Sequence, residues 1–303
     1  MTKTKAWIQA ARLRTLPLSV SGIIVGSACA YPFFHANPNF IVIFSLAILT
    51  TLLLQVLSNF ANDYGDGVKG TDNENRIGPQ RAVQSGILTA EQMKKGMVVT
   101  AVFSLISALL LIYISFGQEN FFTSIFFFVL GISCVVAAIK YTVGKGAYGY
   151  RGLGDLFVFI FFGLVSVLGS FYLYGQWFDL WVILPAVAIG NLSIAVLNIN
   201  NMRDLDADKL VGKNTLAVKL GREAAKQYHY SIVLFALLAL IVYGVYANMV
   251  WYKFFFIVAY IPLLKHLLFV RNNTVPRELD TQMKVVAMTT FLISVLFSLA
   301  LIF

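Results

Sequence analysis

FIVIFSLAILTTLLLQVLSNFANDYGDGVKGTD, residues 40–72, decides the fold. No charged residue precedes Asp63, so residues 40–62 form one apolar run. A run of that length crosses the roughly 30 Å hydrocarbon core of a bilayer as a helix. Asp63, Asp66, Lys69 and Asp72 follow in quick succession. An apolar rod thus delivers carboxylates to the membrane surface.

Working outward, eight further runs have the same character: 17–34, 96–116, 121–140, 152–174, 180–200, 227–247, 254–270 and 283–303. Runs this long and continuous are helices and not the alternating strands of a barrel. The composition agrees, with 59% hydrophobic and 12% charged residues in 303. A soluble domain carries about 25% charged residues, so a water-coated globule, a disordered chain and a disulfide-stapled scaffold are excluded. Cys29 and Cys134 both lie in apolar runs and have no metal-ligand spacing. The expected fold is all-α: a polytopic membrane protein of nine transmembrane helices around a central cavity opening to the cytoplasmic side. It forms a single domain over 1–303, with cap loops at about 63–95 and 203–226.

Charge placement orients the chain. On a nine-span reading, 22 of the 23 Lys and Arg residues fall on the amino-terminal side, and only Lys253 on the other. Basic loops stay inside, which predicts an inner-membrane protein with a cytoplasmic amino terminus. The net charge of +9 is then a topological signal, and neither nucleic acid nor an obligate protein partner is expected. Ala28-Cys29-Ala30 resembles a signal-peptide cleavage site. Cleavage would destroy the alternation of loops, so the segment is expected to be retained.

The acids need a separate explanation, because they contribute little to orientation. Twelve of the 14 Asp and Glu residues share the basic side, Glu119 and Asp179 being the exceptions. They cluster after the second run and again after the sixth, in Asn200-Asn201-Met202-Arg203-Asp204-Leu205-Asp206-Ala207-Asp208. Residues three, four and seven apart share a helix face. Asn59, Asn62 or Asp63, and Asp66 therefore form one polar stripe, and Asn200, Asp204 and Asp208 a second. The common four-residue step of Asn62–Asp66 and Asn200–Asp204 hints at an internal repeat, although Gly70 stands where a counterpart of Asp208 is expected.

Carboxylates crowded at the negative end of a helix repel one another. Hard oxygen donors in a partly solvated site suit Mg²⁺, which bridges a few carboxylates to substrate phosphates. The interleaved Lys69, Arg76, Arg81, Arg203 and Lys213 supply the positive charge that a phosphate requires. The bland alternative is solvated loop acids paired with neighbouring bases. Two clusters in equal helical phase, each led by Asn, favour the ligand reading. After the fourth run, Tyr141 and Lys145 stand four residues apart. They point to a shared pocket, or else to an interfacial aromatic and a snorkelling lysine. His35, His229 and His266 have no partner at ligand spacing and read as structural.

These motifs resemble those of the UbiA superfamily of intramembrane prenyltransferases. Its pattern is an Asp-rich motif after the second helix, Tyr-x-x-x-Lys after the fourth and a second Asp-rich motif after the sixth. Asn62-x-x-x-Asp66, Tyr141-x-x-x-Lys145 and Asp204-x-x-x-Asp208 match, with Gly70 in place of a usual third acid. The longer strings NFANDYGDGVKGTD (59–72), RIGPQRAVQSG (76–86), YTVGKGAYGYRGLGD (141–155) and NMRDLDADKLVGKNTLAVKLG (201–221) resemble the branch that prenylates 1,4-dihydroxy-2-naphthoate in menaquinone synthesis. So does WIQAARLRTLPL (7–18).

The resemblance implies Mg²⁺ held by Asn62, Asp63, Asp66, Asp72, Asp204 and Asp208 against a polyprenyl diphosphate. It implies diphosphate contacts from Lys69, Arg81, Lys145 and Arg203, and catalytic roles for Asp66, Asp204, Asp208, Tyr141 and Lys145. The naphthoate ring would attack the allylic cation and lose its carboxylate as CO₂, while the lipid bilayer harbours the tail. Residues 69–86 and 209–221 suit lids over the cation, and Phe126–Phe128 or Phe254–Phe256 suit the tail channel. An enzyme of the same type acting on 4-hydroxybenzoate is the nearest alternative. A divalent-cation-coupled transporter is a more distant one, since its acids would lie near mid-membrane and not at helix ends.

Overall fold

The computed structural model describes residues 2–71, 77–118 and 120–303. Asp72 and Arg76, both singled out above, and Glu119 lie outside the described residues. Among the described residues, nine helices are long and apolar enough to cross a membrane. The protein is a multi-pass, all-helical membrane protein.

A short helix α1 (Lys3–Ala11) comes first. Its Ala6 and Ala10 are buried, and Trp7 meets Phe60 edge-on with ring centroids 5.2 Å apart. It stops at Arg12, whose φ of 50° is left-handed. After a single 3₁₀ turn the first long helix α2 (Leu16–Phe34) begins with proline in its first turn, where the missing N–H costs nothing. Then come α3 (Phe40–Lys69), α4 (Ala90–Phe116) and α5 (Phe121–Lys140). The apolar run of 40–62 underestimates α3: the helix continues through the acids to Lys69 and ends at Gly70, whose φ of 69° stops it. Likewise α4 starts six residues before its apolar run, because Thr89 and Gln92 form a reciprocal capping box.

The fifth crossing, α6 (Gly154–Gly175), is α-helical at its ends and π-helical over Phe159–Leu168. It is followed by α7 (Ile183–Arg203), the short α8 (Leu205–Leu210) and α9 (Leu216–Leu220), and α10 (Arg222–Tyr246). A 3₁₀ segment, Trp251–Ala259, leads into α11 (Tyr260–Asn272), and α12 (Leu279–Ile302) closes the bundle.

Helices in lipid associate through close packing more than through hydrophobicity, and small residues set the approach here. Gly22 and Gly26, four apart on α2, lie against the π-helical stretch. A Cβ on Gly26 would overlap the carbonyl oxygen of Val167. Gly163 on α6 faces Gly190 on α7, and a Cβ there would come 2.7 Å from the Ala186 carbonyl oxygen. Backbone cannot retreat as a side chain can. Gly26→Val should therefore cost about 1–3 kcal/mol through overpacking, seen as a lower melting temperature in detergent, whereas Gly131→Ala on α5, with 3.7 Å of clearance, should leave it unchanged.

Inside the bundle, His229 on α10 and His266 on α11 meet Nε2 to Nε2 at 2.9 Å. His266 Nδ1 lies 2.8 Å from Gln282 Oε1 on α12, so the chain His229–His266–Gln282 ties three helices together. The sequence gives no hint of this pairing, because the two residues are 37 positions apart. It fits the structural reading.

Candidate active site

Where α1, α3, α7 and α12 come together, a cavity of about 740 Å³ opens. Its polar end is bordered by Asn59, Asn62, Asp63, Asp66, Arg81, Asn200, Arg203 and Lys213, and its far end by Leu111, Ile112, Phe127, Phe161, Phe162 and Leu173. Polar chemistry at one end and hydrocarbon at the other suit a ligand with a charged head and an apolar tail. Of the phenylalanines expected in a tail channel, Phe127 lines it; Phe126 and Phe128 face outward, and Phe256 is buried in the core.

Asp66, buried on the last turn of α3, is held from two sides. Arg81 Nη1 donates to Oδ2 at 2.6 Å, and the Tyr150 hydroxyl donates to Oδ1 at 2.6 Å. Arg81 also donates to the Asn62 carbonyl at 2.7 Å. Asp63 points to the connecting loop: the backbone N–H groups of Ala82 and Val83 both donate to its carboxylate at 3.1 Å. It anchors the loop that carries Arg81, a commitment that the helical stripe does not reveal. Asn62 Oδ1 accepts from Thr142 Oγ1 at 3.3 Å.

The second acidic cluster sits where α7 breaks into α8. Arg203, 1% exposed, clasps Asp204 with Nε at 2.8 Å and Nη2 at 2.6 Å. It also donates to Asp280 on α12 at 2.5 Å and to Asn200 at 2.9 Å. Its donors are spent on the chain's own acids, so it does not reach outward as the sequence reading expects. Lys213 Nζ lies 3.2 Å from Asp208 Oδ1, while Asp208 Oδ2 is buried without a hydrogen-bond partner. Burial first, then the nearby Asp204 and Asp66 carboxylates, push the Asp208 carboxyl up to about 6 against the pull of Lys213.

Tyr150 joins the two clusters. Its hydroxyl meets Asp66, Lys69 Nζ stands 4.0 Å from its ring centroid and Lys213 Nζ stands 5.7 Å from it. The Asn214 N–H donates to its carbonyl at 3.0 Å, fixing the second cap loop to the same residue. The sequence assigns Tyr150 no role, because it lies in a single 3₁₀ turn, Tyr148–Arg151, where the four-residue α-helical spacing does not apply. Tyr150→Phe keeps the ring and removes the hydroxyl. It should lower kcat about tenfold, the order of one lost hydrogen bond to a charged group, in a prenyl-transfer assay, with KM for the aromatic acceptor unchanged.

Tyr141 and Lys145 do not share a pocket. α5 ends at Lys140, so the four-residue rule lapses in the turn that follows. Tyr141 lines the main cavity, whereas Lys145 is exposed beside a smaller depression with Lys69, Tyr150 and Arg151. Burial, then the Asp155 carboxylate, raise the Tyr141 phenol above its usual range and keep it a donor.

Among the described residues no three acidic, His or Cys side chains gather as a metal-holding group. Three of the carboxylates face a cation of the chain: Asp66 faces Arg81, Asp204 faces Arg203 and Asp208 faces Lys213. The donor chemistry still fits a hard divalent cation, since the unpartnered Asp208 oxygen lies in the field of two further carboxylates.

Residues 19–299 match the model of the UbiA prenyltransferase family. The chain belongs to that family. It is 44% identical over 302 residues to the 1,4-dihydroxy-2-naphthoate octaprenyltransferase of Haemophilus influenzae, covering 99% of this chain and 96% of that one. It is 42% identical over 281 residues to the enzyme of the same name from Escherichia coli K12, covering 92% and 88%. The apo structure of a UbiA homolog from Aeropyrum pernix K1 superposes with a TM-score of 0.68 at 14% identity, over 92% of this chain and 97% of that one. As a UbiA-family prenyltransferase, the protein is an enzyme, and its cavity is the natural place for its chemistry.

Proposed function

We propose that the protein transfers a polyprenyl chain from polyprenyl diphosphate to 1,4-dihydroxy-2-naphthoate, with loss of CO₂, giving demethylmenaquinone. The relatives at 44% and 42% identity are named 1,4-dihydroxy-2-naphthoate octaprenyltransferase, which supports the acceptor and the prenyl transfer. The observation that carries the reading here is the two-ended cavity, whose polar-end residues Asp66 and Lys213 meet Tyr150 and Asp208 just behind its lining. The lipid bilayer and the apolar end together take the tail, at about 0.8 kcal/mol per buried CH₂.

Asp66, Asp208 and Asn62 would hold Mg²⁺, with Asp204 and Asp72 in support. When bound, Mg²⁺ supplies Lewis acidity that offsets the charge developing on the leaving diphosphate. Arg81, Lys69 and Lys213 orient that diphosphate, and Lys145 offers a further contact from the neighbouring depression it shares with Lys69. Tyr141, kept protonated and facing the cavity, donates a hydrogen bond or offers its π face to the allylic cation. The loop anchored by Asp63 and the segment α8–α9 exclude water from the cation. The site faces the cytoplasm in the inner membrane, as the distribution of Lys and Arg implies.

The test uses membranes containing the protein, farnesyl or longer prenyl diphosphate, 1,4-dihydroxy-2-naphthoate and Mg²⁺. Prenylated naphthoquinol and CO₂ are expected, with loss of both in EDTA and recovery on adding Mg²⁺. Prenylation of 4-hydroxybenzoate alone would replace the acceptor and keep the mechanism.

A further inference from the structure

Six cationic side chains among the described residues border the cavity: Arg12, Arg14, Arg81, Arg203, Lys213 and Lys284. Arg81, Arg203 and Lys213 face Asp66, Asp204 and Asp208. Arg14 and Lys284 differ. Both are exposed, and among the described residues no ion pair joins either to an acid.

The helices bring these two to one edge. As the first and ninth crossings of an alternating bundle, α2 and α12 run in the same direction, and Ser298 Oγ donates to the Ile24 carbonyl at 3.3 Å. Counting back at about 1.5 Å per residue along the helices and about 2 Å per residue through the 3₁₀ turn puts Arg14 roughly 16 Å and Lys284 roughly 21 Å toward the polar end, about one helical turn apart in height. The strap bearing Arg14 is fixed, because Asn59 Nδ2 on α3 donates to the Ala11 carbonyl at 2.9 Å and to Thr15 Oγ1 at 3.2 Å. The nearest acid along α12 is Asp280, one turn before Lys284, and Arg203 already holds it. Ser19, Gln55 and Ser58 add neutral polar groups to the same cavity.

We infer that Arg14 and Lys284 receive the carboxylate of the aromatic acceptor; the inference rests on the prenyl transfer proposed above. An arginine fork and a lysine converging on one anion is the donor set that a carboxylate takes. The two-cation edge pins the acid group, and the ring lies across the cavity toward the acidic cluster where the prenyl carbon is held. An aromatic alcohol without the carboxylate leaves both cations unmatched.

The test is steady-state kinetics of Arg14→Gln, Lys284→Gln and the double variant in membranes, with Arg14→Lys as the conservative control. Calorimetric binding of 1,4-dihydroxy-2-naphthoate is compared with that of 1,4-naphthalenediol. Each single variant should raise KM for the naphthoate about tenfold and the double about a hundredfold, leave KM for the prenyl diphosphate within twofold, and erase the preference for acid over diol; Arg14→Lys should retain most of it. An unchanged naphthoate KM in the double variant, or an equal rise for the diphosphate, overturns the assignment. Wild-type enzyme that turns over 4-hydroxybenzoate instead sinks the acceptor named above, and the same series with that acid then decides the carboxylate site. Failure with every aromatic acid sinks both.

Discussion

Asp208→Ala should lower kcat for prenyl transfer at least a hundredfold while leaving the melting temperature level or higher. The two halves of that result have one cause. Asp208 is buried, one of its oxygens has no hydrogen-bond partner, and Asp204 and Asp66 oppose its charge. In the resting protein it is therefore a repulsive element that, among the described residues, Lys213 relieves. Removing it takes away that repulsion and also a ligand for the cation that stabilises the leaving group, an effect worth about 3 kcal/mol or more in a desolvated site. Asp66→Ala makes the contrast: it should lose activity as severely and also lose stability, because Arg81 and Tyr150 both spend hydrogen bonds on it. Prenyl-transfer assays and thermal melts on the purified variants read both quantities. A fully active Asp208→Ala enzyme would remove this residue from the metal site.

Arg203→Gln should be the most destabilising change at the polar end. The guanidinium is buried and joins α7 to α12 through Asp204, Asp280 and Asn200. Taking away one partner of a buried ion pair leaves uncompensated charge and costs about 3–5 kcal/mol. A diphosphate-binding arginine would instead raise KM for the prenyl substrate and leave the melt unchanged. The rescue separates the two: adding Asp204→Asn and Asp280→Asn to Arg203→Gln should recover most of the lost melting temperature, because neutral amides do not repel.

The crossings were legible from the sequence because a 23-residue stretch such as 40–62 admits no other solution in lipid. The ends were less so. α3 runs on to Lys69 because intrahelical hydrogen bonds and the Gly70 cap, not hydropathy, set where a helix stops. The Asp and Asn positions could be found because their spacing is helical up to Asp66. What each does could not, since Asp63 and Asp66 differ only in which loop atoms meet them. Arg203 looked like a free cation next to acids in sequence; its commitment to Asp280, 77 positions away, exists only in the folded chain. Tyr150 and the histidine pair were invisible for the same reason: their contacts link segments with no shared periodicity.

The wide π-helical turn of Phe159–Leu168 carries a practical consequence for the apolar end. Its main chain and short contacts close against Gly22, Gly26 and Gly190, whereas the Phe161 and Phe162 rings line the cavity. The bore is thus built in two independent parts, a rigid casing and an exchangeable bushing. Trimming either ring can lengthen the hydrocarbon that fits without disturbing the casing that surrounds it.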